Sequence, residues 1–128
     1  MKKIIYLMII AAVVSAQNIE VKLFSKLFTS LFDKKPVYVY TEVPKYQHLH
    51  NIFLKNTNVC SKADIVLGTS KHCNNKPKFL LDYYNYVEDK NALGAFYWRK
   101  GRPQLRLRKN IIEKYHLHIA PDFKEFLE

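Results

Sequence analysis

The chain has 128 residues, enough for one domain, and nearly half of them are apolar with 14% aromatic, which supports a packed core and excludes a disordered chain. Only three glycines and five prolines occur, which excludes low complexity. The formal charge of +10 favours anionic partners: a small anion, an acidic protein, anionic lipid or cell-wall polymer, or nucleic acid.

Lys2 and Lys3 precede an apolar run from Ile4 to Ala16, and Val14-Ser15-Ala16 ends it in small residues. That order predicts a secretion signal over residues 1–16, cleaved before Gln17. The run is shorter than the ~20 residues that span a bilayer. No second apolar segment follows, so the expected location is periplasmic, with membrane contact only through the signal before cleavage. Lys2 and Lys3 lie in the signal and no acid does, so the cleaved chain carries +8. Export places Cys60 and Cys73 in an oxidising compartment, where a disulfide between them is expected. The competing reading is a reactive Cys73 thiol beside His72.

Residues 17–35 form an amphipathic N-terminal segment, with Leu23, Phe24, Leu27, Phe28, Leu31 and Phe32 on one stripe of a helix over 19–33. The stripe either packs on its own domain or docks on a partner or a membrane surface. Pro36 ends the helix. Val37-Tyr38-Val39-Tyr40-Thr41 reads as a strand from its β-branched and aromatic content. Pro44 suits a helix start, and Tyr46, Leu49, His50 and Phe53 recur at helical spacing until Lys55 and Asn56. Residues 63–68 form a buried strand, so strand, helix and strand predict a βαβ unit with parallel pairing. A further strand covers 78–81, and a tyrosine-rich segment with one helical turn covers 82–91. A strand over 95–98 turns at Gly101 into one on which Gln104, Arg106 and Arg108 share a face while Leu105 and Leu107 face the core. A helix over 109–117 and a short one from Pro121 complete the chain. The fold class is α/β: a three-layer single domain with a mixed, mainly parallel sheet.

Two blocks carry a family resemblance. Ala63-Asp64-Ile65-Val66-Leu67-Gly68 resembles a strand of type 2 periplasmic substrate-binding domains. Ala92-Leu93-Gly94-Ala95-Phe96-Tyr97-Trp98-Arg99-Lys100-Gly101-Arg102-Pro103 resembles a block in small bacterial periplasmic proteins, some described as similar to ABC-transporter substrate-binding proteins, with the ten residues from Gly94 its more specific part. The likeness covers residues 36–128. It implies a three-layer α/β domain that binds a ligand without catalysis. The chain differs from such proteins in length, which fits one lobe rather than two around a hinge.

The densest candidate site is Arg99, Lys100, Arg102, Arg106, Arg108 and Lys109, with Tyr97 and Trp98 adjoining. Arginine forks bind carboxylate or phosphate bidentately, and aromatic faces stack flat ligands. Tyr97, Trp98, Arg99, Arg102, Arg106 and Arg108 are therefore the expected ligand-binding residues; the bland alternative is a solvated sheet face. His48, His50, His72, His116 and His118 show no closed zinc spacing, and no metal or cofactor is expected. No catalytic carboxylate pair, nucleophile elbow or phosphate loop stands out, so no enzymatic activity is expected. No nucleic-acid module is recognisable either. The leading expectation is a single-lobe periplasmic binding protein for an anionic small molecule or an acidic envelope protein. The rival is a protein–protein module that docks through helix 19–33 on an envelope or sensor protein.

Overall fold

The computed structural model describes residues 16–128. The expected signal segment, apart from Ala16 at its end, lies outside the described residues. Helix α1 spans Ala16–Phe32. Leu23, Phe24, Leu27, Phe28 and Leu31 on its apolar stripe are all buried. Phe24 stacks on Phe28 at 5.4 Å and meets Phe79 and Phe96 edge-on at 5.7 and 5.8 Å. Each such side chain contributes roughly 1.5–3 kcal/mol by leaving water. The stripe thus forms the centre of the chain's own core, and the docking surface imagined for it is covered.

The sheet has six strands in the order β2-β1-β3-β4-β5-β6. They are β1 (Val37–Thr41), β2 (Leu54–Asn56), β3 (Ile65–Leu67), β4 (Lys78–Leu80), β5 (Gly94–Arg99) and β6 (Arg102–Leu107). The first five run parallel and β6 is antiparallel to β5. The expected mixed, mainly parallel α/β sheet is therefore present. β-branched and aromatic residues dominate β1 and β3, where Val37, Val39, Ile65 and Leu67 are fully buried in the core beneath α1. Helix α2 (Tyr83–Glu88) joins β4 to β5 and covers a smaller cluster of Leu80, Tyr86, Ala92, Ala95 and Tyr97. The expected three-layer arrangement is not shown; α2, six residues long, is the helix that covers this cluster. Helix α3 (Lys109–Lys114) buries Ile111 and Ile112 and is shorter than the periodicity predicts. A 3-10 turn at Pro121–Phe126 then buries Phe123 and Phe126. Gly94 is obligatory, because a Cβ there would strike the Arg106 carbonyl and the Leu107 side chain.

The predicted helix after Pro44 is corrected. Only Pro44–Tyr46 makes a 3-10 turn, and the chain then folds into a tight hairpin with β2 as its second arm. Asn51 explains the change, because its Oδ1 accepts from the amides of Phe53 and Leu54 at 2.7 and 2.8 Å. That Asx turn takes amides that a helix would need. Leu54 is then buried opposite Val37, while Ile52 is 67% exposed. The unit between β1 and β3 is accordingly an inserted edge strand, not a crossover helix.

Cys60 and Cys73 form a disulfide with Cα atoms 5.5 Å apart, as expected, so a free Cys73 thiol is excluded. It ties the turn before β3 to the loop after it. No helix among the described residues is long and apolar enough to cross a membrane.

Candidate ligand-binding cleft

Strands β5 and β6 meet at a two-residue turn of Lys100 and Gly101, both left-handed with φ of 52° and 76°. A type I′ hairpin turn needs two such residues, and glycine meets the requirement at the second. The register sets Tyr97 opposite Gln104 and Arg99 opposite Arg102. Strand alternation sends Phe96, Leu105 and Leu107 into the α1 core, as the leucine pattern predicts. The other face turns toward α2.

A cleft of about 430 Å³ opens at the carboxyl ends of β4 and β5, lined by Asp82, Tyr83, Tyr84, Tyr97, Trp98 and Arg99. Tyr83 sits edge-on to both Tyr84 and Tyr97, at 5.7 and 5.9 Å. Tyr84 is 80% exposed and Trp98 40%, so both offer ring faces to solvent. Asp82 is engaged as the cap of α2, where it accepts from the Asn85 amide at 2.7 Å and its side-chain nitrogen at 2.6 Å. Arg99 and Arg102 are exposed, and among the described residues neither guanidinium has a hydrogen-bond or ion-pair partner; their pairing is through the strand backbone alone. Like charges directly opposite across two strands repel each other, so this pair is locally unfavourable without an anion between them.

The Trp98 ring is held from behind. Its Nε1 donates to Glu20 Oε2 at 2.7 Å. Glu20 is only 3% exposed, accepts from the Tyr46 hydroxyl and pairs with Lys45 at 2.8 Å. Burial pushes this carboxyl up, but the bonds from Lys45, Tyr46 and Trp98 more than offset it and hold it below the usual range. The same site pushes the Tyr46 phenol far up, chiefly through burial and then through Glu20. Glu20 was not singled out in the sequence; the available signal was that it is the one acid within Ala16–Phe32 and stands three and four residues before Leu23 and Phe24, in line with the apolar stripe.

Arg106 and Arg108 do not join the open patch expected of them. Arg106 donates through Nε to Glu128 at 2.9 Å, and through Nη2 to the second carboxylate oxygen. Its guanidinium lies 5.7 and 5.6 Å from the Tyr83 and Tyr86 rings. Arg108 lies 4.0 Å over Tyr86 and donates to the carbonyls of Tyr86, Asp89 and Ala92 at 2.6, 2.6 and 3.2 Å. Both arginines share the predicted face, but Glu128 and the end of α2 occupy their forks. They position α2, and with it Tyr83 and Tyr84, rather than meeting a ligand directly.

The chain reverses direction across the sheet between β1 and β3, where open α/β sheets commonly bind ligands. Here that crevice is filled from within. Glu42 accepts from Ser70 Oγ at 2.6 Å, the Tyr40 hydroxyl at 3.1 Å and the amides of Lys71 and His72 at 3.1 and 3.2 Å. Led by the Ser70 bond, these hold its carboxyl down at about 2. The five histidines are all exposed, and His48 and His50 lie outside any helix. No protein-family model matches the chain, and neither a curated protein nor a solved structure matches it.

Proposed function

We propose that the protein is an exported, non-catalytic binding protein that holds a small anion with a flat face in the cleft at the carboxyl ends of β4 and β5. The observation that carries this reading is the opposed pair Arg99 and Arg102 beside an exposed aromatic wall. Two guanidinium forks that repel each other gain favourable energy when a carboxylate or phosphate lies between them. Tyr84 and Trp98 supply faces on which a planar ring stacks. The resemblance of the 94–103 block to periplasmic proteins and the Cys60–Cys73 disulfide favour an exported setting. A role through helix 19–33 is not favoured, because its apolar stripe is buried.

Trp98 is the only tryptophan, so its fluorescence reports on the cleft. The protein is titrated with aromatic carboxylates, aryl phosphates and acidic sugars, and with small molecules released by heat from its native envelope fraction. A ligand should shift Trp98 emission and bind more weakly as salt rises. Arg99→Gln with Arg102→Gln should weaken binding roughly 10–100-fold, since two solvent-exposed forks at about 1 kcal/mol each, within the ~0.5–1.5 kcal/mol of an ordinary hydrogen bond, sum to about 2 kcal/mol. Equal affinity in the folded double variant, or no response to the panel and the envelope extract, refutes the reading.

A further inference from the structure

The hairpin that replaces the predicted helix has an unusual tip. The Asn51 amide donates to Leu54 O at 2.9 Å and the Asn56 amide to Leu49 O at 3.2 Å, with His50 bridged to Lys55. Ile52 and Phe53 are the two residues at the turn. Glycine, asparagine and aspartate ordinarily occupy such positions. Here two large apolar side chains project instead, on a backbone that Asn51 pins through both following amides.

Cations surround this tip. Phe53 and Asn51 share an apolar groove with Val21, Lys22, Ser25 and Lys26 on the outer face of α1. Lys35 Nζ lies 5.7 Å from the centre of the Phe53 ring. Lys55 stands on the neighbouring arm of the hairpin. Among the described residues no acidic side chain lines the groove, and Lys26 at its edge pairs with Asp122 at 3.1 Å.

We propose that the Ile52–Phe53 tip and its lysine ring dock the protein on an anionic membrane surface. The lysines complement acidic headgroups while the two side chains enter the interfacial layer. Two exposed side chains are too little apolar surface for a stable protein interface, which buries about 800 Å² on each partner. A bilayer needs no shape complementarity, and small contributions add there. The surface lies on α1 and β2, whereas the proposed ligand cleft lies at β4 and β5, so either reading stands without the other.

The test measures partition of the full-length chain into vesicles by titration with lipid. One set is pure phosphatidylcholine; the other contains phosphatidylglycerol as well. Ile52→Ser with Phe53→Ser is compared with wild type, so any contribution of residues 1–15 cancels in the ratio. The double variant should partition at least about tenfold more weakly into the anionic vesicles, since each lost buried methylene counts severalfold. Lys22→Gln with Lys35→Gln should lose roughly fivefold per lysine, in anionic vesicles only. Arg99→Gln with Arg102→Gln should stay within about twofold of wild type. The proposal is overturned by unchanged partition of the Ile52/Phe53 variant, by a loss in the lysine variant that is as large in pure phosphatidylcholine, or by a loss in the Arg99/Arg102 variant as large as in the lysine variant. Capture of an acidic protein that is lost with Ile52 and Phe53, without selective vesicle binding, also overturns it.

Discussion

Replacing Arg108 with alanine tests whether this arginine holds the cleft together or merely decorates a sheet face. Its fork donates to three carbonyls, those of Tyr86, Asp89 and Ala92, at the end of α2 and the start of the approach to β5. In a dry interior each such charge-assisted bond would contribute ~1.5–3 kcal/mol. Arg108 is only partly buried, so water re-satisfies the carbonyls and each bond falls to the ~0.5–1.5 kcal/mol of an ordinary one. Three bonds and the contact with the Tyr86 ring at 4.0 Å then sum to about 3 kcal/mol. For a domain of this size the loss lowers Tm by roughly 10 °C. Urea titration followed by circular dichroism measures it. Arg108→Lys keeps the charge but not the planar fork, so it should recover only a minor part. A loss below about 1 kcal/mol for Arg108→Ala, the ordinary range of a surface change, would refute the positioning role.

Other outcomes follow from the same geometry. Glu20→Gln removes the charge that Lys45, Tyr46 and Trp98 converge on; it should cost about 2 kcal/mol and alter the emission of Trp98, and an unchanged spectrum would contradict the proposed anchoring of that ring. Reduction of the Cys60–Cys73 bond, whose partners are 13 residues apart, should lower unfolding stability by about 3 kcal/mol, and an unchanged urea midpoint would be inconsistent with a loop-closing role. Glu42 titrates near 2 in the folded chain, below its ordinary 4.5, so its contribution to stability is present above about pH 4.5 and is lost as pH falls toward 2. Carboxyl-carbon NMR should find that low midpoint and its rise in Ser70→Ala; a wild-type midpoint near 4.5 rejects the assignment.

The α1 stripe, strands β1, β3 and β4 and the β5–β6 hairpin were readable along the chain because each is set by local periodicity or a turn signal. The Cys60–Cys73 pair was readable because only two cysteines exist. The spacing of Tyr46, Leu49, His50 and Phe53 misled, since helical periodicity over so few residues yields to one asparagine that takes two amides. Of the candidate site, Tyr97, Trp98, Arg99 and Arg102 stand at the cleft or beside it, because strand alternation and the turn at Gly101 are local rules. Which arginines stay open is not a local matter. Glu128 reaches Arg106 from the far end of the sequence, the carbonyls that occupy Arg108 follow from how α2 crosses the sheet, and Glu20 meets Trp98 across 78 residues. Sequence spacing determined which residues share a face; long-range packing alone decided which of their charges are neutralised, because ion pairs and hydrogen bonds depend on distance in space and not along the chain.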